Sequence, residues 1–315
     1  MTPESVLLIF VALFGLCFGS FYNVVILRGL SNESIVFPAS KCPKCETPLK
    51  WWHNIPVISY LFLRGKCAFC KCKISWQYPL VELITMLLFI ASYLKWGFDI
   101  KALAAAGFLS LFLITAVTDL KERVILTQHA YTLAGFGVTY SIYQLCQTGS
   151  FVWSLENPLL SSLLGLVIGV AVMELMAYTG YIFAKQRAFG EGDSYITGAL
   201  GAIFGWKLIL PILLFGAIIQ LSVSVPMYLY NLFKNNKATQ AIELILFLGL
   251  SAGMWFWGSL LGDLIYYCGL LLLILIAIHL IRTLVNDIKT QSGQTLLPYV
   301  PALVIAATIG LFLWF

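Results

Sequence analysis

The feature that most constrains this chain is the recurrence of apolar runs about as long as a bilayer is thick, beginning with Val6 to Leu27. Twenty helical residues rise about 30 Å, the depth of the hydrocarbon core. Inside that layer the chain must satisfy its own backbone N–H and C=O groups, which leaves helices or a closed barrel. A barrel would show short alternating segments, and the runs here are continuous. With 60% hydrophobic and 10% charged residues and a mean hydropathy of +0.91, a soluble domain is excluded. The first run lacks the short apolar core and small-residue cleavage site of a secretory signal and reads as a retained span. The expected fold is an all-α polytopic membrane protein of about ten transmembrane helices, over 6–27, 79–96, 102–118, 128–146, 158–183, 195–206, 208–232, 240–260, 264–281 and 296–315. The sixth is short for a crossing, and either continues from the polar loop before it or is partly re-entrant.

Charge orients this arrangement. With the amino terminus outside, 16 of the 19 Lys and Arg residues fall in internal segments, and only Lys95, Lys101 and Lys207 lie outside. That bias places the connecting loops according to the positive-inside rule. The net charge of +5 therefore reflects topology, and no nucleic-acid partner is needed to explain it.

Two aspartates then stand out. Asp119 ends one apolar run, and Asp193 follows another within Gly190-Glu191-Gly192-Asp193. A carboxylate at a membrane boundary is costly unless something uses it. In the expected topology both arrive at the inner boundary, where two carboxylates sharing one proton make an acid and a base for peptide hydrolysis. The bland alternative is a pair of solvated helix-end charges with Lys121, Arg123, Lys185 or Arg187 as surface partners. A protease must hold its substrate extended, and Gly190 and Gly192 suit a loop that offers backbone groups at close range.

The cysteines form a second constellation. Cys42-Pro43-Lys44-Cys45 and Cys67-Ala68-Phe69-Cys70 are paired Cys-x-x-Cys knuckles separated by 21 residues. Four thiolates suit tetrahedral zinc, the alternatives being disulfides or free thiols. A reducing cytoplasmic loop disfavours disulfides, and Cys72 is a possible substitute ligand. The insertion 29–78 has few aliphatic residues, so a metal would supply much of its folding free energy and give a small zinc-ribbon-like domain. Its Lys-rich surface also suits anionic lipid, although topology alone accounts for the charge.

Taken in order, Gly19-Ser20-Phe21-Tyr22-Asn23-Val24-Val25-Ile26-Leu27-Arg28, the four-cysteine loop, Ile55-Pro56-Val57-Ile58-Ser59-Tyr60-Leu61, Tyr78-Pro79-Leu80-Val81-Glu82-Leu83, Asp119 and Gly190 to Asp193 resemble the type IV prepilin peptidases, Gly-x-Gly-Asp aspartyl proteases of membranes. The resemblance runs from Gly15 to about Trp206. It implies cleavage of a basic leader after a glycine, on the cytoplasmic side of a prepilin or pseudopilin helix. It also implies methylation of the new amino terminus with S-adenosylmethionine in many members. Arg28 and Glu82 fall in matching stretches and are candidates for the methyl-transfer region, with Glu82 either facing that site or pairing with Arg28. Tyr195 stands where the family commonly has Lys, and Leu297-Pro298-Tyr299-Val300-Pro301 resembles the family's approach to its final helix without the glycine.

The expected organisation is a first span over 1–28, a cytoplasmic zinc-binding loop over 29–78, a membrane aspartyl protease core over 79–232, and C-terminal helices over 233–315 that include an extra hairpin. The leading function is a bifunctional processing enzyme of the bacterial inner membrane acting at its cytoplasmic side. The alternatives are a protease without methyltransferase activity, and a noncatalytic scaffold or ion-coupled transporter. A transporter should show internal repeats with broken helices, and no convincing repeat is present.

Overall fold

The computed structural model describes residues 3–148, 152–184, 189–235, 237–257, 263–290 and 298–315. Lys185, Arg187 and Leu297, named above, lie outside the described residues. The elements in chain order are α1 (Pro3–Ser31), a 3-10 turn (Trp51–Asn54), α2 (Ile58–Phe62), α3 (Gln77–Trp96), α4 (Ile100–Glu122), α5 (Thr127–Thr148), α6 (Pro158–Ala184), α7 (Glu191–Lys234), α8 (Ala238–Trp257), α9 (Asp263–Thr290) and α10 (Val300–Trp314).

The all-α expectation agrees with these elements, but the count of about ten spans does not. Among the described residues, five helices are long and apolar enough to cross a membrane: α1, α3, α4, α6 and α7. Three further apolar stretches, each of 10–17 described residues, lie in α8, α9 and α10. The expected fourth span became α5, whose Gln128, His129, Ser141, Gln144 and Gln147 dilute its apolar character. The expected sixth and seventh spans lie on either side of a break in α7 at Gly205, whose φ of 73° and ψ of 175° no other residue type adopts without strain. The zinc-ribbon expectation also fails. Among the described residues there is no β-sheet, only the isolated bridges Lys41–Pro48 and Lys66–Lys73.

The chain divides into two compact units: residues 1–173, 191–216 and 298–315 form one, and 174–190 and 217–297 the other. In the first, α4 is the central helix. Asp99 caps it by accepting from the Lys101 N–H at 2.8 Å, and its run Ala104-Ala105-Ala106 is buried with Phe108, Leu109 and Phe112. Small side chains let neighbours approach closely where lipid supplies no hydrophobic drive between helices. Gly15 and Gly19 of α1 do this against α3: an added Cβ would lie 2.7 Å from the Met86 Cα and 2.6 Å from the Glu82 Cα. Tyr22 then reaches across to donate to the Ser110 hydroxyl of α4 at 2.8 Å, above a core of Ile26, Val81 and Ile114.

The same device joins α6 to α7. Gly165 and Gly201 face one another so closely that a Cβ on either would strike the other's carbonyl oxygen. Ser162 donates to the Ala202 carbonyl at 2.6 Å and Thr197 to the Gly169 carbonyl at 3.1 Å, so the contact carries polar links as well. α10 is apolar all round and buried along Val300, Leu303, Ala306, Ala307 and Leu311. Its far end meets the end of α3, where Trp96 stacks on Phe312 at 5.4 Å between ring centres and Lys95 donates to the Phe312 carbonyl. In the second unit α8 and α9 pack together, with His279 Nε2 3.5 Å from Glu243 Oε2.

The glycine contacts generate a test. Gly201→Val should cost about 1–3 kcal/mol or more through forced separation of α6 and α7, read as a fall in the thermal unfolding midpoint in detergent. Gly249→Ala, where an added Cβ meets nothing within 4 Å, should leave the midpoint unchanged or slightly raised.

Candidate functional site

Asp119 sits in the last turn of α4, and its position follows from how that helix stops. Arg123 takes up a left-handed conformation at φ 54° and returns its N–H to the Asp119 carbonyl at 2.9 Å, which ends the helix four residues beyond the carboxylate. The side chain is buried at 6% exposure. Its Oδ2 accepts the backbone N–H of Val300 at 3.2 Å. Asp193 and the Arg123 guanidinium are both close enough to act electrostatically on the Asp119 charge. Two aspartates 74 positions apart in sequence are thus within electrostatic reach of one another in the first unit.

The glycine motif differs from a simple open loop. α7 begins at Glu191, so Gly192 and Asp193 already belong to its first turn. An added Cβ on Gly192 would lie 2.7 Å from the Ile125 Cβ, so this glycine lets the start of α7 press against the segment that follows α4. Gly190 is exposed immediately before the helix, in the second unit. Tyr195 packs its ring 5.7 Å from that of Tyr131 on α5.

Val300 was not singled out from sequence, because a backbone N–H has no residue-type signature. The signal was Pro301, which marks a helix start: N–H groups of the first turn have no intrahelical partner, and that of Val300 is able to serve a carboxylate. Tyr299 beside it donates to the Leu213 carbonyl at 3.4 Å.

The four knuckle cysteines are brought together, their ligand atoms all within 4.8 Å of one another. Cys42 Sγ and Cys70 Sγ are 3.9 Å apart, against about 3.8 Å for the edge of a tetrahedron with zinc–sulfur bonds near 2.3 Å. Cys72 Sγ is 3.8 Å from Cys42 Sγ, so the alternative ligand is also at hand. The two knuckles share one backbone design. Glu46 N–H returns to the Cys42 carbonyl and Lys71 N–H to the Cys67 carbonyl, each from a residue at positive φ, 55° and 60°. Thr47 holds the Cys45 thiol down to about 6, which favours the ligating thiolate. These residues fit a tetrahedral metal ion.

Arg28 and Glu82 both fasten the inserted loop. Arg28 donates to the carbonyls of Ser34 at 2.8 Å and Pro38 at 2.6 Å. Glu82 Oε2 accepts the Val57 N–H at 2.7 Å, and the Ser20 hydroxyl is a further partner. Among the described residues no ion pair joins Arg28 to Glu82. Both line a cavity of about 1600 Å³ between the loop, the C-terminal ends of α1 and α4 and the start of α3.

Residues 13–96 match the family described as Bacterial Peptidase A24 N-terminal domain, and residues 106–225 the Type IV leader peptidase family. A prepilin leader peptidase/N-methyltransferase of Myxococcus xanthus is 34% identical over 70% of this chain and 63% of its own length. One from Neisseria gonorrhoeae is 34% identical over 65% of this chain and 76% of its own, and one from Klebsiella pneumoniae 32% over 63% and 85%. No solved structure matches the chain.

The cysteine geometry predicts about one zinc ion per chain by mass spectrometry of metal content in protein prepared without chelator. Cys42→Ser and Cys67→Ser should each lose it and leave residues 29–78 sensitive to protease, because a loop of this size has little other core.

Proposed function

The chain belongs to the type IV leader peptidase family, and from that premise we propose that it is an inner-membrane processing enzyme for prepilins or pseudopilins. It removes a basic leader at the cytoplasmic boundary through Asp119 and Asp193 and methylates the exposed amino terminus. The observation that carries this reading is the approach of the two carboxylates within one compact unit, with a backbone donor on one of them. The concentration of Lys and Arg in 28–78 supports a cytoplasmic position for the inserted loop, whose basic surface also suits anionic lipid.

In this mechanism the ionised carboxylate takes a proton from water as the water attacks the scissile carbonyl, and the protonated one hydrogen-bonds the carbonyl oxygen. Repulsion between neighbouring charges keeps one of the pair neutral, so the dyad titrates as a unit. Val300 N–H occupies Asp119 Oδ2 and leaves Oδ1 for the reaction. Arg123 adds a fixed positive charge that stabilises the singly ionised pair. Water is the only co-reactant required, so the thiol cluster serves as a structural clamp under the loop.

The second activity needs a methyl donor. The cavity beside the loop fits one by size, and two buried polar atoms on its lining residues have no protein partner. S-adenosylmethionine supplies an electrophilic methyl carbon when bound, and Arg28 and Glu82 hold the loop that roofs the cavity.

Mass spectrometry of a prepilin incubated with purified protein, with and without S-adenosylmethionine, reads cleavage and methylation separately. Asp119→Asn and Asp193→Asn should each lower cleavage by about 10³-fold or more while zinc content and membrane insertion stay normal. Near-normal cleavage by either variant would remove the dyad assignment.

A further inference from the structure

Asn23 is buried at 1% exposure near the inner end of α1, and its hydrogen bonding leaves one atom over. Its Nδ2 donates to the Gly19 carbonyl at 3.3 Å and to the Tyr78 carbonyl at 3.0 Å. Two carbonyl acceptors facing the same end of the amide fix which end is nitrogen. Oδ1 is therefore an acceptor without a donor, buried away from solvent. Next to Tyr78, Gln77 shows the complementary fault: its buried Nε2 is a donor with no acceptor. Buried polar atoms are normally paired, so an orphaned acceptor and an orphaned donor together point to a missing ligand. Both residues line the same 1600 Å³ cavity.

The cavity has further properties that limit the ligand. Its walls include Lys121 and Glu122, two and three residues past Asp119 on the same helix, so it reaches to within about 5 Å of helix rise from the proposed dyad. Its volume exceeds the roughly 300–1,000 Å³ of a single small-molecule pocket. Methyl transfer between a donor and a peptide amine requires both reactants in one enclosure.

We propose that Asn23 and Gln77 recognise an α-amino-acyl head group, in which an amine and a carbonyl or carboxylate are borne on one carbon. Asn23 Oδ1 accepts the amine N–H, and Gln77 Nε2 donates to the oxygen. Asn23 acts in binding, with no proton or group transferred to it. Both reactants of the proposed methyl transfer carry this head group: the peptide's new amino terminus and the amino-acid tail of S-adenosylmethionine. The inference therefore rests on the methyltransferase half of the functional reading.

Calorimetry on the full-length wild-type protein in lipid nanodiscs tests it with two matched pairs of probes. One pair is a synthetic peptide of a mature pilin amino-terminal segment, with its amine free or acetylated. The other is S-adenosylhomocysteine and 5′-methylthioadenosine, which lacks the amino-acid tail. An orphaned polar atom that gains its partner should make the complete member of at least one pair bind about tenfold tighter or more. The pair that discriminates identifies the source of the head group. Asn23→Ala and Gln77→Ala should each shrink that discrimination to about twofold. Because Asn23 also braces α1 on α3, the wild-type comparison decides the matter even where the variant fails to fold. Equal binding within both pairs overturns the proposal. If the same preparation still cleaves and methylates prepilin, only this inference is lost. If it neither methylates nor binds any of the four probes, the methyltransferase reading falls with it.

Discussion

Everything at the proposed site depends on how closely helices approach where no water drives them together. Between lipid-facing helices apolar surface contributes little, and van der Waals contact with a few hydrogen bonds must suffice. Gly165 against Gly201 and Gly19 against Glu82 allow backbone to touch backbone, and Thr197 and Ser162 add bonds that only such proximity permits. The start of α7, which bears Asp193, is set by this contact from one side and by Gly192 on Ile125 from the other. A methyl group too many in either place displaces a carboxylate.

Much of this was legible in the amino-acid order, and the failures have identifiable causes. Hydropathy marks α1, α3, α4 and α6 because their apolar runs end in polar residues. The expected boundary between the sixth and seventh spans falls beside the break at Gly205, although the positive φ that makes the break leaves no trace in hydropathy. The knuckle spacing led to four thiols in reach of one ion, yet the surrounding residues form isolated bridges rather than strands. Cysteine spacing carries ligand geometry, and the hydrogen-bonded surroundings are a separate matter.

Site residues divide in the same way. Asp119 and Asp193 were visible because charge is rare in these runs. The pairing expected between Arg28 and Glu82 was one of two readings, and each instead holds a different backbone segment of the loop. Long-range partners of this kind are backbone atoms, on which residue identity is silent. Nothing in residue type distinguishes Asn23 and Gln77 from satisfied amides; the buried atoms left without a partner do.

The bond from Val300 to Asp119 joins residues 181 positions apart. Synthesis at 5–20 residues per second separates their emergence by roughly 10–35 s. Throughout that interval α4 is already made while the amide that steadies its carboxylate does not yet exist. The centre is therefore completed late in translation, and a nascent chain that has acquired both aspartates is still without its final support. Assembly order alone delays the moment at which the Asp119 carboxylate gains this donor.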